Sequence, residues 1–225
     1  MVRMMNKITT VIFDMDGTVL NTLDDLTASV NHVLAEYGFA GHDASEYRKY
    51  FGNGIRYALG CAVPDGTDQR VINEMVPVFK EYYDVHCLDN TRPYDGIIGL
   101  MSDLSGQGYK LAIVSNKIDS AVKELNTRFF SEYVSVAIGE RVGVNRKPEP
   151  DTVIQALKEL NSTKDEALYV GDSEVDLKTA ANAGLHCISV LWGFRDKEML
   201  QEQGATIFAD TPGDVLDIIK RSQTL

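Results

Sequence analysis

From about residue 95 onward, short apolar runs alternate with stretches of helical periodicity, and this alternation restricts the fold more than any other feature of the chain. The runs are Leu111 to Val114, Val134 to Ile138, Ala167 to Val170 and Cys187 to Leu191, with a weaker one at Thr206 to Phe208. A further run, Thr10 to Phe13, lies near the N-terminus. Unbroken apolarity with β-branched side chains is what a strand buried on both faces of a parallel sheet carries. Helical patterns fall between the runs: Ile97 to Leu104, Ser120 to Asn126, Thr152 to Leu160, Val175 to Ala183 and Pro212 to Lys220. Strand–helix alternation implies right-handed crossovers, and hence an α/β fold with a doubly wound, Rossmann-like parallel sheet.

The first strand breaks the rhythm. Between Phe13 and Leu111 the periodicity is mostly helical, with Leu23, Leu26, Val30, Val33 and Leu34 on one face and Val71, Met75, Val78, Phe79 and Tyr82 on another. A single crossover helix needs far fewer residues. The expected division is therefore a core of residues 1–19 and 89–225 with an inserted α-helical cap domain at 20–88. Such an insertion is placed to act as a lid; a rigid structural bundle is the alternative reading.

Bulk properties exclude several classes of function. With 22 Lys+Arg against 33 Asp+Glu, the formal charge of −11 disfavours a nucleic-acid partner. An anionic ligand would need local cations, helix N-termini or a metal to hold it. Cys61, Cys87 and Cys187 are widely spaced and make no CxxC pair, which suits a reducing compartment. His32, His42, His86 and His186 are scattered and read as structural or surface residues. The segment Met1 to Lys7 is too short for a targeting signal, and no stretch approaches membrane-spanning length. The expectation is a cytoplasmic protein with no membrane partner.

Chemistry-bearing residues follow the strands. Val11-Ile12-Phe13 runs directly into Asp14-Met15-Asp16-Gly17-Thr18. A buried strand shuns charge, so two carboxylates at its end point to an open site with a compensating cation, although Asp and Gly also favour turns. Ser115-Asn116 follows Leu111 to Val114 and reads equally as a ligand pair or a helix N-cap. Lys147 lies in Arg146-Lys147-Pro148, where an exposed lysine is the plain reading. Asp172 and Asp176 follow Ala167 to Val170 and suit either a ligand role or the first turn of the next helix. All four groups stand at predicted C-terminal strand ends, where open α/β sheets place their ligands.

In this fixed order, the four groups resemble the motifs of the haloacid dehalogenase superfamily, in its phosphatase branch with a helical cap. Further segments resemble the phosphoglycolate phosphatase group: Phe51-Gly52-Asn53-Gly54, Pro93-Tyr94-Asp95-Gly96-Ile97, Ser115-Asn116-Lys117 and Trp192-Gly193-Phe194-Arg195. Asn21 stands where many relatives carry Asp.

The resemblance implies Asp14 as nucleophile, forming an aspartyl-phosphate, and Asp16 as acid and base. It implies Mg²⁺ held by Asp14, the Asp16 carbonyl and Asp172, with Asp176 in support. Ser115 and Asn116 would bind phosphoryl oxygens, together with Thr18, whose hydroxyl orients the loop, and Lys147 would neutralise developing charge. Glu174 could be a further acid at the metal, although an exposed helix-start residue is the ordinary reading. Asn53, Gly54, Arg56 and Lys117, with Arg195, are candidates for substrate specificity, although a solvated surface charge is the ordinary reading of each basic residue. A dehalogenase would not need the Asp16 acid, which favours a phosphatase. The implied partner is a small phosphorylated metabolite, 2-phosphoglycolate first, acted on by a monomer or homodimer. Alternatives are a pyrophosphatase, a nucleotide or sugar phosphatase, a mutase-like transferase, and a catalytically silent phosphate-binding regulator.

Overall fold

The computed structural model describes residues 7–222. Residues 1–6, within the segment read as too short for targeting, lie outside the described residues. The chain divides into two compact units, Met1–Val19 with Pro93–Leu225, and Leu20–Arg92. In chain order, β1 (Thr10–Phe13) belongs to the first unit. The second contains β2 (Leu20–Asn21), α1 (Leu23–Glu36), α2 (Ala44–Tyr47), α3 (Ile55–Ala62) and α4 (Gln69–His86), and ends at Arg92, the first residue of β3 (Arg92–Pro93), the strand that pairs with β2. The chain then continues through α5 (Ile97–Gly106), β4 (Lys110–Ile118), α6 (Asp119–Phe129), β5 (Val136–Glu140) and α7 (Asp151–Glu159). It finishes with β6 (Ala167–Gly171), α8 (Glu174–Ala183), β7 (His186–Val190), α9 (Lys197–Glu202), β8 (Phe208–Ala209) and α10 (Pro212–Ser222).

The larger unit is built on a six-stranded sheet in the order β5-β4-β1-β6-β7-β8, all parallel. Growth proceeds from β1 outward to one edge and then, from β6, to the other. This is the doubly wound α/β arrangement, and the switch in direction opens a crevice at the strand ends between β1 and β6. Side chains alternate across the sheet: Ile12, Ala112, Val114 and Tyr169 pack with Val153, Ala156 and Leu157 of α7 and Ala180 of α8.

Several expected boundaries shift. Val134 is buried, but its N–H bonds to Phe130 O in the turn that ends α6, so β5 starts only at Val136. Burial without a neighbouring ladder had mimicked a strand. The last strand lies at Phe208–Ala209, not Thr206 to Phe208, because only those residues pair with Ser189 and Val190. The seventh strand runs His186–Val190 and leaves Leu191 outside. The short α9, with Leu200 as its buried residue, was not expected: six residues carry too little apolar periodicity to register.

In the smaller unit, α1 buries Leu26, Val30, Val33 and Leu34. The buried face of α4 is Ile72, Met75, Phe79 and Tyr83. Val71, Val78 and Tyr82, expected on that face, are only half-buried. Tyr82 instead lies between two imidazoles, with ring centroids 3.8 Å from His32 and 4.2 Å from His86. Asp25 is a buried carboxylate near the start of α1. It accepts from the N–H groups of Asn90 (2.9 and 3.0 Å) and Thr91 (2.8 Å) and from Asn90 Nδ2 (2.9 Å), which ties the exit of the unit to its entry. Asn21 Oδ1 accepts from Leu23 N (3.4 Å) at the same entry.

Candidate active site

The ends of β1, β4 and β6 are neighbours in the sheet, and each delivers polar residues to the crevice. Asp14 directly follows β1 and its N–H donates to Val170 O (2.9 Å), which keeps it in step with β6. The chain then turns, with the N–H groups of Thr18 and Val19 bonding to Met15 O. Gly17 has φ +86°, and a Cβ there would collide with the Asp172 carboxylate. Glycine is required on both counts. Thr18 is buried, and its hydroxyl donates to Asp172 Oδ1 (3.1 Å). In this structure its hydroxyl therefore holds a carboxylate of the site.

Lys147 is the hub. Its Nζ lies 2.6 Å from Asp14 Oδ1, 2.8 Å from Asp176 Oδ1 and 3.1 Å from the Tyr169 hydroxyl, all buried. The plain reading of Lys147 as an exposed lysine does not hold. Tyr169 OH in turn donates to Asp176 Oδ1 (3.0 Å). The other Asp176 oxygen accepts from Ser173 N (3.1 Å) and Oγ (2.6 Å), forming a capping box at the start of α8. Asp172 Oδ2 accepts from Phe194 N (2.7 Å).

Asp14, Asp172 and Asp176 bring carboxylate oxygens within 4.8 Å of one another. Burial, then the Asp176 and Asp172 charges, hold the Asp14 carboxyl well above the usual carboxylate range, against the pull of Lys147. Asp172 is pushed up to about 7 by burial and by Asp176, opposed by Phe194 N–H, Arg195 and Thr18. Burial works to lower Lys147, but Asp14 and Asp176 prevail and keep it a firm ammonium. Three buried carboxylates around one lysine leave an excess of negative charge. An all-oxygen donor set with that excess fits a hard divalent cation. Asp14 and Asp172 are the better-placed ligands, since both Asp176 oxygens already accept two bonds each from the protein.

Asp16 lies beside this cluster, with Oδ1 3.0 Å from Lys117 Nζ. Ser115 and Asn116 are buried at the end of β4; Ser115 Oγ accepts from Lys117 N (3.1 Å), and Asn116 Nδ2 donates to Lys147 O (3.0 Å). Two readings as surface charges are overturned. Lys117 is buried against Asp16, and Arg195 is buried with Nε donating to Glu174 Oε2 at 2.8 Å. Glu174 is correspondingly half-buried, not an exposed helix-start residue. Both cations gained partners from remote segments, which local sequence does not reveal. Asn53, Gly54 and Arg56 belong to the smaller unit. There, Arg56 is exposed on α3 and donates to Asn73 (2.7 Å) and Gln69 (2.8 Å).

The roles of three contributors are not apparent from the sequence. Tyr169 looked like one more apolar strand residue, and only its length carries the hydroxyl from β6 to Lys147. Phe194 acts through its backbone N–H. Gly193 allows that approach, because a Cβ there would collide with Asp172 and with Gly17 O. Trp192 Nε1 also donates to Thr18 O (2.9 Å). The cluster Trp192-Gly193-Phe194 was visible as a family feature, but its contact with Asp172 was not.

Residues 11–190 match the family model described as haloacid dehalogenase-like hydrolase. The chain is 30% identical over 185 residues to the phosphoglycolate phosphatase of Aquifex aeolicus, covering 82% of this chain and 85% of that one. It is also 30% identical to the pyrophosphatase PpaX of Halalkalibacterium halodurans, covering 95% and 97% respectively. A crystal structure of a presumed phosphoglycolate phosphatase from Lactobacillus delbrueckii subsp. bulgaricus superposes with a TM-score of 0.90 at 36% identity, covering 95% of this chain and 99% of that one. The chain belongs to the haloacid dehalogenase-like hydrolase family. Within it, the chain is a phosphatase, a phosphoric monoester hydrolase of the phosphoglycolate phosphatase-like group. Among the described residues, no helix is long and apolar enough to cross a membrane.

Proposed function

We propose that the chain is a Mg²⁺-dependent phosphatase that hydrolyses a small phosphomonoester, 2-phosphoglycolate first, through an aspartyl-phosphate on Asp14. The observation that carries this reading is the buried set of Asp14, Asp172 and Asp176 around Lys147, with Asp16 alongside. An Asp14 oxygen attacks phosphorus as the ester P–O bond breaks, and Asp16 gives its proton to the departing oxygen. Water then attacks the acyl phosphate; Asp16 takes the proton, phosphate leaves, and Asp14 is restored. Ser115 and the Asn116 N–H bind phosphoryl oxygens, and Lys147 offsets the charge that develops on them. Thr18 and the Phe194 N–H hold Asp172 in place. Mg²⁺, held by Asp14, the Asp16 carbonyl and Asp172 with Asp176 in support, supplies positive charge that lets one anion approach another.

Choice among esters is assigned to the inserted unit acting as a cap, with Asn53, Gly54 and Arg56 as its candidates, and to Lys117 from the core. The names of the relatives support 2-phosphoglycolate and, as second reading, pyrophosphate. The three free cysteines suit a reducing, cytoplasmic setting.

The test is a panel of 2-phosphoglycolate, pyrophosphate, nucleoside monophosphates and hexose phosphates, each measured with Mg²⁺ and with EDTA. A kcat/KM preference for phosphoglycolate of more than about tenfold, roughly 1.4 kcal/mol of discrimination, is expected. Phosphate release that persists at the wild-type rate in Asp14→Asn would overturn the covalent mechanism, and full activity in EDTA would overturn the metal.

A further inference from the structure

Two lysines divide the carboxylates of the site between them. Lys147 pairs with Asp14 and Asp176, while Lys117 pairs with Asp16. The structure assigns Lys117 a positioning role: by its charge it anchors one oxygen of Asp16, and so determines which oxygen faces the leaving group. This inference rests on the acid–base role proposed for Asp16.

The geometry begins in β4. Val114 pairs with Ile138, but Ile118 pairs with Glu140, so the ladder slips over residues 115–117. A local bulge of this kind re-aims side chains at the end of a strand. Lys117 is fixed there by its own N–H, which donates to Ser115 Oγ at 3.1 Å. Its side chain is only 5% exposed, so the ammonium is held among protein atoms and not in water.

Asp16 supplies the complementary observation. Its Oδ1 is buried and makes no regular hydrogen bond among the described residues. A buried carboxylate oxygen left so is costly unless a charge compensates it, and the Lys117 ammonium 3.0 Å away does so. The Asp16 side chain as a whole keeps 16% of its surface open, and that surface lies on atoms other than Oδ1. Oδ1 is therefore the anchored oxygen, and Oδ2 the one free to carry the proton across to the ester oxygen and to take it back from water. Without Lys117, the carboxyl loses the contact that sets its rotation. The loss appears only where the leaving group needs the proton.

The experiment uses Lys117→Met and Lys117→Arg, with Asp16→Asn as reference, on a series of substituted phenyl phosphates with uncharged leaving groups. The readout is kcat/KM against leaving-group acidity, so that binding common to the series cancels. Lys117→Met is expected to lose about tenfold more on phenyl phosphate than on 2,4-dinitrophenyl phosphate, part of the effect a full general acid supplies. Asp16→Asn should follow the same slope more steeply, and Lys117→Arg should recover most of the loss. Lys117→Arg also carries the test if the Met variant does not fold, since a leaving-group slope between those of wild type and Asp16→Asn is then expected from it. Equal losses across the series in every Lys117 variant that folds would overturn the positioning role. A flat response in Asp16→Asn itself would instead overturn the acid–base role of Asp16.

Discussion

Replacing Lys147 with methionine tests the electrostatic centre of the site directly. The side chain keeps its length and most of its apolar stem, but the charge that touches Asp14 at 2.6 Å and Asp176 at 2.8 Å is gone. Removing one partner of a buried ion pair costs about 3–5 kcal/mol, because the other is left uncompensated. At roughly 2–4 °C per kcal/mol for a chain of this size, the melting temperature in EDTA at pH 8 should fall by about 6–20 °C. The loss should depend on pH, and the sign follows from the shifts. Lys147 is raised above its ordinary value, so it stays charged throughout pH 5–8 and its contribution changes only through its partners. Asp14 is raised by burial and by neighbouring carboxylates, and Asp172 is raised in the same way to about 7, so Asp172 is protonated in the folded protein at pH 5 and Asp14 is shifted in the same direction. Stability associated with their protonation is present at low pH and lost as pH rises through those folded values. The Lys147→Met deficit should therefore be smaller at pH 5 than at pH 8, through Asp14. Calorimetric melts of both proteins at the two pH values measure it, and kcat with Mg²⁺ at pH 8 should drop by roughly 10²–10³. A deficit equal at both pH values, or below about 1 kcal/mol at pH 8, would refute the claim that Lys147 neutralises these carboxylates.

Mg²⁺ should compete with protons at Asp14 and Asp172, so its affinity should rise between pH 5 and pH 7.5 with proton release; calorimetric titration in two buffers reads both, and a pH-independent affinity would contradict the raised Asp172. Gly193→Ala would push a methyl into Asp172 and Gly17 O, and should weaken Mg²⁺ binding by about 10–100-fold while the far-ultraviolet spectrum is unchanged. In the smaller unit, Asp25→Ala strands the N–H groups of Asn90 and Thr91. It should cost about 2–4 kcal/mol, read as faster hydrogen exchange at those two amides, and unchanged exchange there would refute it.

Legibility differed by kind of residue. The strands of the larger unit stood out because burial on both faces leaves a continuous apolar run, and the runs from Thr10 and Ala167 begin where the strands begin. Val134 misled because an apolar residue in a tight turn satisfies the same pattern without a ladder. In α4, Ile72 and Tyr83 took the buried face, since a helix of periodicity 3.6 leaves a neighbouring stripe open until packing chooses one. Asp14, Asp16, Ser115 and Asp172 could be singled out because each closely follows an apolar strand run, and the structure brings those runs side by side as β1, β4 and β6.

The amino-acid sequence by itself determined the α/β class, the order of the polar groups along the chain, and the chemical types that could meet at the sheet's crevice. Those are local properties: strand and helix periods, and short segments that end in charge. Only the tertiary structure decided the allegiance of the long cations. Lys147 bonds to Asp14 across 133 positions of sequence, and Arg195 reaches back 21 residues to Glu174. Lys117, read as a surface charge, became buried beside Asp16 because neighbouring strands β1 and β4 end side by side. A lysine or arginine side chain has four or more rotatable bonds and is indifferent to its local segment. Its burial and its partner are set by what the fold brings within a few ångströms, and that is a property of strand order, not of sequence proximity.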